Sequence, residues 1–132
     1  MERLINIGFK KAGKWELVNN TAVDFDLNES SSHKNVLYAF ISGSKILYIG
    51  KSKRTLKERM ANYKNADPSQ STNVKVKGKI IELLNKKLPV DIYVFSDSGL
   101  LKYGPFAISL SAGLEDSLIE AIKPELNDFE AA

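Results

Sequence analysis

The chain of 132 residues is 43% hydrophobic and 27% charged with a formal net charge of +3, the ordinary balance of one globular domain around one core. Zero cysteines exclude disulfides, cysteine-based zinc sites and thiol nucleophiles, and a lone histidine, His33, is too few for a His-based triad or a multi-histidine metal site. No apolar run approaches the roughly 20 residues that span a bilayer, and MERLINIGFKK lacks the long apolar stretch of a signal peptide, so the expectation is a cytoplasmic protein with no membrane contact.

Residues 1–34 read as a β-rich extension. INIGF and WELV pair as strands across KKAGK with Gly13 in the turn, VDFDL alternates as another strand, and the polar loop NESSSHKN at 28–35 sets this piece off from the rest. VLYAFI and KILYI are rich in β-branched and aromatic residues and flank a short Ser-Gly-Ser turn at 42–44, which predicts an antiparallel hairpin. Thr55 and Glu58 then fit a capping box for a helix over 56–63, with Leu56, Met60 and Tyr63 on its inward face. After a loop at 65–72, Ile80, Ile81, Leu83, Leu84 and Leu88 carry a second helix closed by Pro89. VDIYVF reads as a buried strand, residues 99–105 as a turn-rich segment, and residues 112–122 as a last helix stopped by Pro124. The order hairpin, helix, helix, strand, helix predicts a small α+β fold: a mostly antiparallel sheet with a three-stranded core flanked by helices. Residues 35–132 form the main domain, with 1–34 packed onto it as one structural unit.

Charge is distributed unevenly along this framework. Residues 51–87 carry eleven Lys or Arg against Glu58, Asp67 and Glu82, whereas residues 111–132 carry six Asp or Glu and only Lys123. A polyanion would feel the basic block, although a solvated helix face accounts for such a run equally well. Glu115 is more specific. At roughly 100° per residue it falls inside the apolar stripe of Leu114, Leu118, Ile119, Ala121 and Ile122, while Asp116 and Glu120 project away. A carboxylate on an inward face needs an arginine, several donors or a cation, or a stem that snorkels out. Arg59 borders the first helical stripe four residues before Tyr63, at a sheltered rim that suits either a phosphate or an ion pair. Tyr38 and Tyr48 occupy neighbouring strands, read either as packed aromatics or as hydroxyl donors, and Gly50 ends its strand where backbone or ligand can come close. Tyrosine hydroxyls, an arginine, a sheltered carboxylate and a basic block suffice to break a phosphodiester without histidine or cysteine.

YIGK at 48–51, an arginine eleven residues after Tyr48, a tyrosine four residues further on, and LEDSLIEAIKPELN at 114–127 resemble the GIY-YIG endonucleases. The resemblance spans residues 35–127. Its first tripeptide is Val36-Leu37-Tyr38 here, so the tyrosine is kept and the glycine and isoleucine are replaced. The resemblance implies one divalent ion, Mg2+ or Mn2+, held by Glu115, since a carboxylate and waters are hard oxygen ligands. It further implies Tyr38 as general base, Tyr48 orienting the water or the phosphate, Arg59 neutralising charge on the phosphorane and Tyr63 holding a phosphate oxygen. Gly50 and Asn127 support the site, Asn127 by tying the last helix to the sheet. Lys51, Lys53, Arg54 and Lys57 would follow the DNA backbone without reading sequence.

The reading is therefore a metal-dependent DNA endonuclease of restriction, repair or mobile-element type. The alternatives are a catalytically silent nucleic-acid-binding module on the same scaffold and a small interaction domain with a solvated basic helix. Residues 1–34 and 65–77 are left for choosing a target, with Gln70, Ser71, Thr72 and Asn73 read as base-edge donors or as a solvated loop. A homodimer is one way for so compact a chain to cut both strands.

Overall fold

The structure, a computed structural model, describes residues 1–97, 99 and 101–127. A short helix α1 (Glu2–Asn6) leads into strands β1 (Lys10–Asn19) and β2 (Ala22–Leu27), then the hairpin β3 (Val36–Ser42) and β4 (Lys45–Ser52). Helices α2 (Leu56–Lys64) and α3 (Ser71–Asn85) follow, then β5 (Asp91–Ser96), a two-stranded ribbon of β6 (Lys102–Tyr103) and β7 (Phe106–Ala107), and helix α4 (Leu110–Ile122). The main sheet has the order β2-β1-β5-β3-β4 with every neighbouring pair antiparallel. Its three-stranded heart, β5-β3-β4, is the one the sequence predicts, and the N-terminal residues add two further strands to its edge.

That N-terminal piece departs from expectation. Ile5 and Asn6 belong to α1, and β1 runs straight through KKAGK, so Gly13 lies inside a strand. A Cβ at Gly13 would collide with the Asp26 carbonyl oxygen and stand 2.9 Å from its carbon, so glycine here permits close approach of β2. The register of β1 against β5 slips between Lys11 and Gly13. This bulge lets Ala12 and Trp15, three residues apart, both enter the core. The turn itself lies at Asn20-Thr21, where Asn19 Oδ1 accepts from Thr21 N at 2.9 Å and from Thr21 Oγ1 at 3.0 Å.

Strand β3 lies between β5 and β4 and is buried along nearly its whole length, so the sheet carries a core on each face. On one face Trp15, Val36, Tyr38 and Phe40 meet Leu56, Met60 and Tyr63 of α2 and Val76, Ile80 and Leu83 of α3. On the other, Leu37, Ala39, Ile41 and Ile49 meet Leu4 and Phe9, with Leu114, Leu118, Ile119 and Ile122 of α4 packed at partial burial. Each large apolar side chain so enclosed contributes roughly 1.5–3 kcal/mol.

The helix boundaries follow local chemistry. The capping box of α2 is formed: Thr55 Oγ1 accepts from Glu58 N at 3.1 Å, and Glu58 Oε1 accepts from Thr55 N at 3.4 Å. Helix α3 starts at Ser71, inside the predicted loop, and ends at Asn85, where Lys87 takes a left-handed φ of 61°. Leu88, expected on that helix, therefore lies beyond it and is 45% exposed. Among the described residues no helix is long and apolar enough to cross a membrane.

Candidate active site

The β3–β4 register sets Tyr38 opposite Gly50 and Phe40 opposite Tyr48. With no side chain on Gly50, the ring of Tyr38 leans across the neighbouring strand; a Cβ there would meet the Tyr38 hydroxyl and lie 2.5 Å from its Cζ. Helix α2 then brings Tyr63 over this pair, and the Tyr38 and Tyr63 hydroxyls are 2.7 Å apart, each buried. One turn earlier, Arg59 Nη2 donates to the Tyr63 hydroxyl at 3.0 Å and to Asn73 Oδ1 at 3.4 Å. Its Cζ lies 4.4 Å from the Tyr63 ring centre and 5.9 Å from that of Tyr38. Tyr48 completes the group, its ring 6.4 Å from Tyr38 and 6.2 Å from Tyr63, its hydroxyl without a hydrogen bond among the described residues.

Burial dominates the electrostatics of this cluster. Desolvation pushes the Tyr38 phenol far above its ordinary value, against the pull of the Arg59 charge, and it raises Tyr63 for the same reason. Both phenols are therefore neutral at pH 7. Arg59 is half-buried, yet it makes no ion pair with any carboxylate among the described residues. A desolvated guanidinium held only by a phenol, an amide and two aromatic faces keeps its full charge for an anion.

Glu115 reaches the same segment of β4 from the other face. Its side chain is 15% exposed and its Oε1 lies 3.7 Å from Lys51 Nζ. Desolvation raises its pKa, Lys51 opposes that shift and Asp116 adds to it. Helix α4 is aimed by its N-terminus: Asp97 Oδ2 accepts from Leu110 N at 2.8 Å and Ser111 N at 3.4 Å, while Ser109 Oγ accepts from Ala112 N at 3.3 Å. Between this end and the β3–β4 hairpin opens a cavity of about 330 Å³ lined by Asn35, Lys51, Lys53, Ser109 and Ser111. At its far end the chain returns to the edge strand β4, where Asn127 Oδ1 accepts from Ile49 N at 2.9 Å and Asn127 Nδ2 donates to Ile49 O at 2.8 Å. Asn127 thus behaves as one more rung of the sheet beside the Tyr48-Ile49-Gly50 corner.

The residues singled out in the sequence fall into two groups. Tyr38, Tyr48, Arg59 and Tyr63 gather on the α2–α3 face; Lys51 and Glu115 meet on the α4 face. Among the described residues no hydrogen bond or ion pair joins Glu115 to the tyrosine–arginine cluster, and the halves touch consecutive residues, Gly50 and Lys51. Lys53, Arg54 and Lys57 are exposed at the turn into α2, and none is paired with a carboxylate among the described residues. Ser52 Oγ accepts from Arg54 N at 3.1 Å and closes that turn. No group of three or more His, Cys, Asp or Glu forms among the described residues, and the sheltered carboxylate at this site is Glu115. That donor suits Mg2+ or Mn2+, which keep several waters and take further oxygens from a phosphate.

Asn73, read from sequence as a base-edge donor or part of a solvated loop, lies in neither an exposed nor a loop position. It belongs to α3, is 9% exposed, and holds Arg59 where a base-edge reader was considered. Its signal was phase: Asn73 is in step with the buried Val76, Ile80 and Leu83.

This geometry has relatives. The chain is similar to a mutant of bacteriophage T4 EndoII at a TM-score of 0.74 and 23% identity, with 96% of each chain covered. It shares that fold. It is also similar, at a TM-score of 0.56 and 19% identity, to the restriction endonuclease HPY188I in complex with product DNA, over 91% of this chain and 76% of that one. No protein-family model and no curated protein matches the sequence. At these identities the likeness establishes the α+β architecture built on an antiparallel sheet.

Proposed function

We propose that this chain is a metal-dependent DNA endonuclease of the GIY-YIG kind that hydrolyses phosphodiester bonds in restriction, repair or mobile-element cleavage. The observation that carries the proposal is Arg59: a half-buried guanidinium with no carboxylate partner among the described residues, fixed beside two buried tyrosine hydroxyls, with the Lys51–Glu115 pair on the other face of the sheet. The similarity of the fold to two endonuclease structures supports it. Arg59 stabilises the charge that grows on the phosphorane oxygens, and Tyr63, its hydrogen-bond partner, holds a phosphate oxygen. Tyr48, whose hydroxyl has no hydrogen bond among the described residues, orients the attacking water or the phosphate. As its phenolate, its own proton first lost to solvent, Tyr38 would take the proton from that water; burial opposes the phenolate, and the Arg59 charge and the hydrogen bond from the Tyr63 hydroxyl favour it.

Glu115 would hold a Mg2+ or Mn2+ ion, which when bound would supply Lewis-acid stabilisation of phosphate charge. Lys51, Lys53, Arg54 and Lys57 bind the DNA backbone, and a homodimer would set one such site against each strand. Supercoiled plasmid incubated with the protein in Mg2+, in Mn2+ and in EDTA, beside Glu115→Ala and Tyr38→Phe, tests the proposal. Metal-dependent nicking or linearisation that both substitutions abolish is the expected result. Intact binding without cutting in either metal would instead leave a silent nucleic-acid-binding module.

A further inference from the structure

We propose that Asn73 is a positioning residue for Arg59, one whose neutral amide aims the guanidinium while leaving its positive charge uncompensated for an anionic substrate. The identity of that anion as a DNA phosphate rests on the nuclease reading above. Asn73 occupies the buried stripe of α3 with Val76, Ile80 and Leu83, where an apolar side chain would be the plain choice. A buried amide is costly unless hydrogen-bonded, and among the described residues the Asn73 side chain is bonded by Arg59 Nη2. That same nitrogen donates to Tyr63, so two neutral oxygens from two helices bracket one guanidinium nitrogen.

The side chain type is selective at this position. Aspartate would have the same shape and accept the same hydrogen bond, but a carboxylate against a half-buried guanidinium forms a charge-assisted pair and cancels the field that a phosphate needs. Alanine would leave the charge intact and release the guanidinium to swing. Asparagine alone of the three both holds and spares the charge. The ranking of variants therefore separates positioning from mere packing, because a residue needed only to satisfy the fold is replaced better by its isostere than by alanine.

The experiment compares wild type, Asn73→Asp, Asn73→Ala and Asn73→Ser, with Arg59→Ala as reference, in plasmid cleavage with Mg2+, in binding of a fluorescein-labelled DNA duplex in EDTA, and in thermal denaturation. In cleavage, kcat for Asn73→Asp falls about 100-fold, the scale of a misplaced or silenced catalytic group, towards the value for Arg59→Ala. Its melting temperature stays at or above that of wild type, since the new ion pair favours the fold. Asn73→Ala loses less, about 10-fold, and Asn73→Ser, a shorter neutral acceptor, less again. In EDTA the duplex binds Asn73→Asp more weakly than wild type, with a log–log salt slope shallower by about 1. Asn73→Asp cutting as well as or better than Asn73→Ala would overturn the proposal, as would Asn73→Ser falling below Asn73→Ala should the aspartate variant not fold. If wild type cuts no DNA in either metal, the nuclease reading fails by itself; the binding arm still decides, because equal duplex affinity and salt slope for wild type and Asn73→Asp reject a role for Asn73 in keeping the Arg59 charge available.

Discussion

Arg59 carries a charge that no carboxylate among the described residues neutralises, and Glu115 a charge that burial disfavours. Burial makes the Glu115 charge a local cost to stability, whereas the Arg59 charge is held against burial by the neighbouring tyrosines. For Glu115 the sign follows from linkage. Burial raises the folded-state pKa above the unfolded value, so the folded carboxyl binds its proton more tightly, and stability falls as pH rises through the window from about 4.5 upward. Glu115→Gln removes that penalty: at pH 7 the variant melts at a higher temperature than wild type, the gap closes below the unfolded carboxyl pKa, and cleavage is lost. Differential scanning calorimetry across pH 4–8 reads both parts, and a Gln variant less stable at pH 7 would reject the desolvation argument. Arg59→Ala, in turn, lowers kcat by about 100- to 1,000-fold, the scale of removing one preorganised donor from a developing oxyanion. At Gly50 the demand is steric. Gly50→Ala places a methyl on the Tyr38 hydroxyl, costs about 1–3 kcal/mol in urea melts as overpacking does, and displaces the phenol, so cleavage falls further than stability.

Strand β4 is an edge, and edges need closure. Asn127 supplies it by bonding both backbone groups of Ile49, between the tyrosine and the glycine of the YIG corner. Asn127→Ala leaves a buried N–H and C=O unpaired, so urea denaturation should show a loss of about 2–4 kcal/mol, each orphaned group costing roughly 1–3 kcal/mol with some relief by water. An equal loss in a variant that still cuts at the wild-type rate would limit Asn127 to stability. Helix α2 depends likewise on its start. Because Arg59 and Tyr63 sit within its three turns, fraying from Thr55 loosens the guanidinium as well as the fold; Thr55→Ala costs about 1 kcal/mol.

Across the whole molecule, the basic block and the acidic C-terminal residues separate along the chain; Lys53 lines the cavity with Lys51, and the exposed Arg54 and Lys57 follow at the turn into α2. None of Lys53, Arg54 and Lys57 is tied to a carboxylate among the described residues, so counterion release should govern duplex binding. Replacing all three by alanine makes the log–log salt slope shallower by about 2–3 at roughly 0.9 per lost phosphate contact, measured by anisotropy in EDTA. An unchanged slope would place the nucleic acid elsewhere.

How much of this was legible follows from the range of the interactions. Local chemistry determined the β3–β4 hairpin, the capping box of α2, the end of α4 before Pro124 and the inward phase of Glu115, because alternation, side-chain caps and helical period act within a few residues. Gly13 looked like a turn because glycine marks both turns and close approaches, and only the backbone of β2 beside it tells them apart. The same limit hid Asn73, whose polarity suggested a loop until Arg59 arrived from another helix to explain its burial. The sequence by itself determined which residues could do chemistry and which elements carry them. Tertiary structure alone decided that β1 and β2 join one sheet with the hairpin, that Tyr38 leans over Gly50 to reach Tyr63, and that Arg59 meets an amide rather than an acid, since each of these is set by partners distant in the chain.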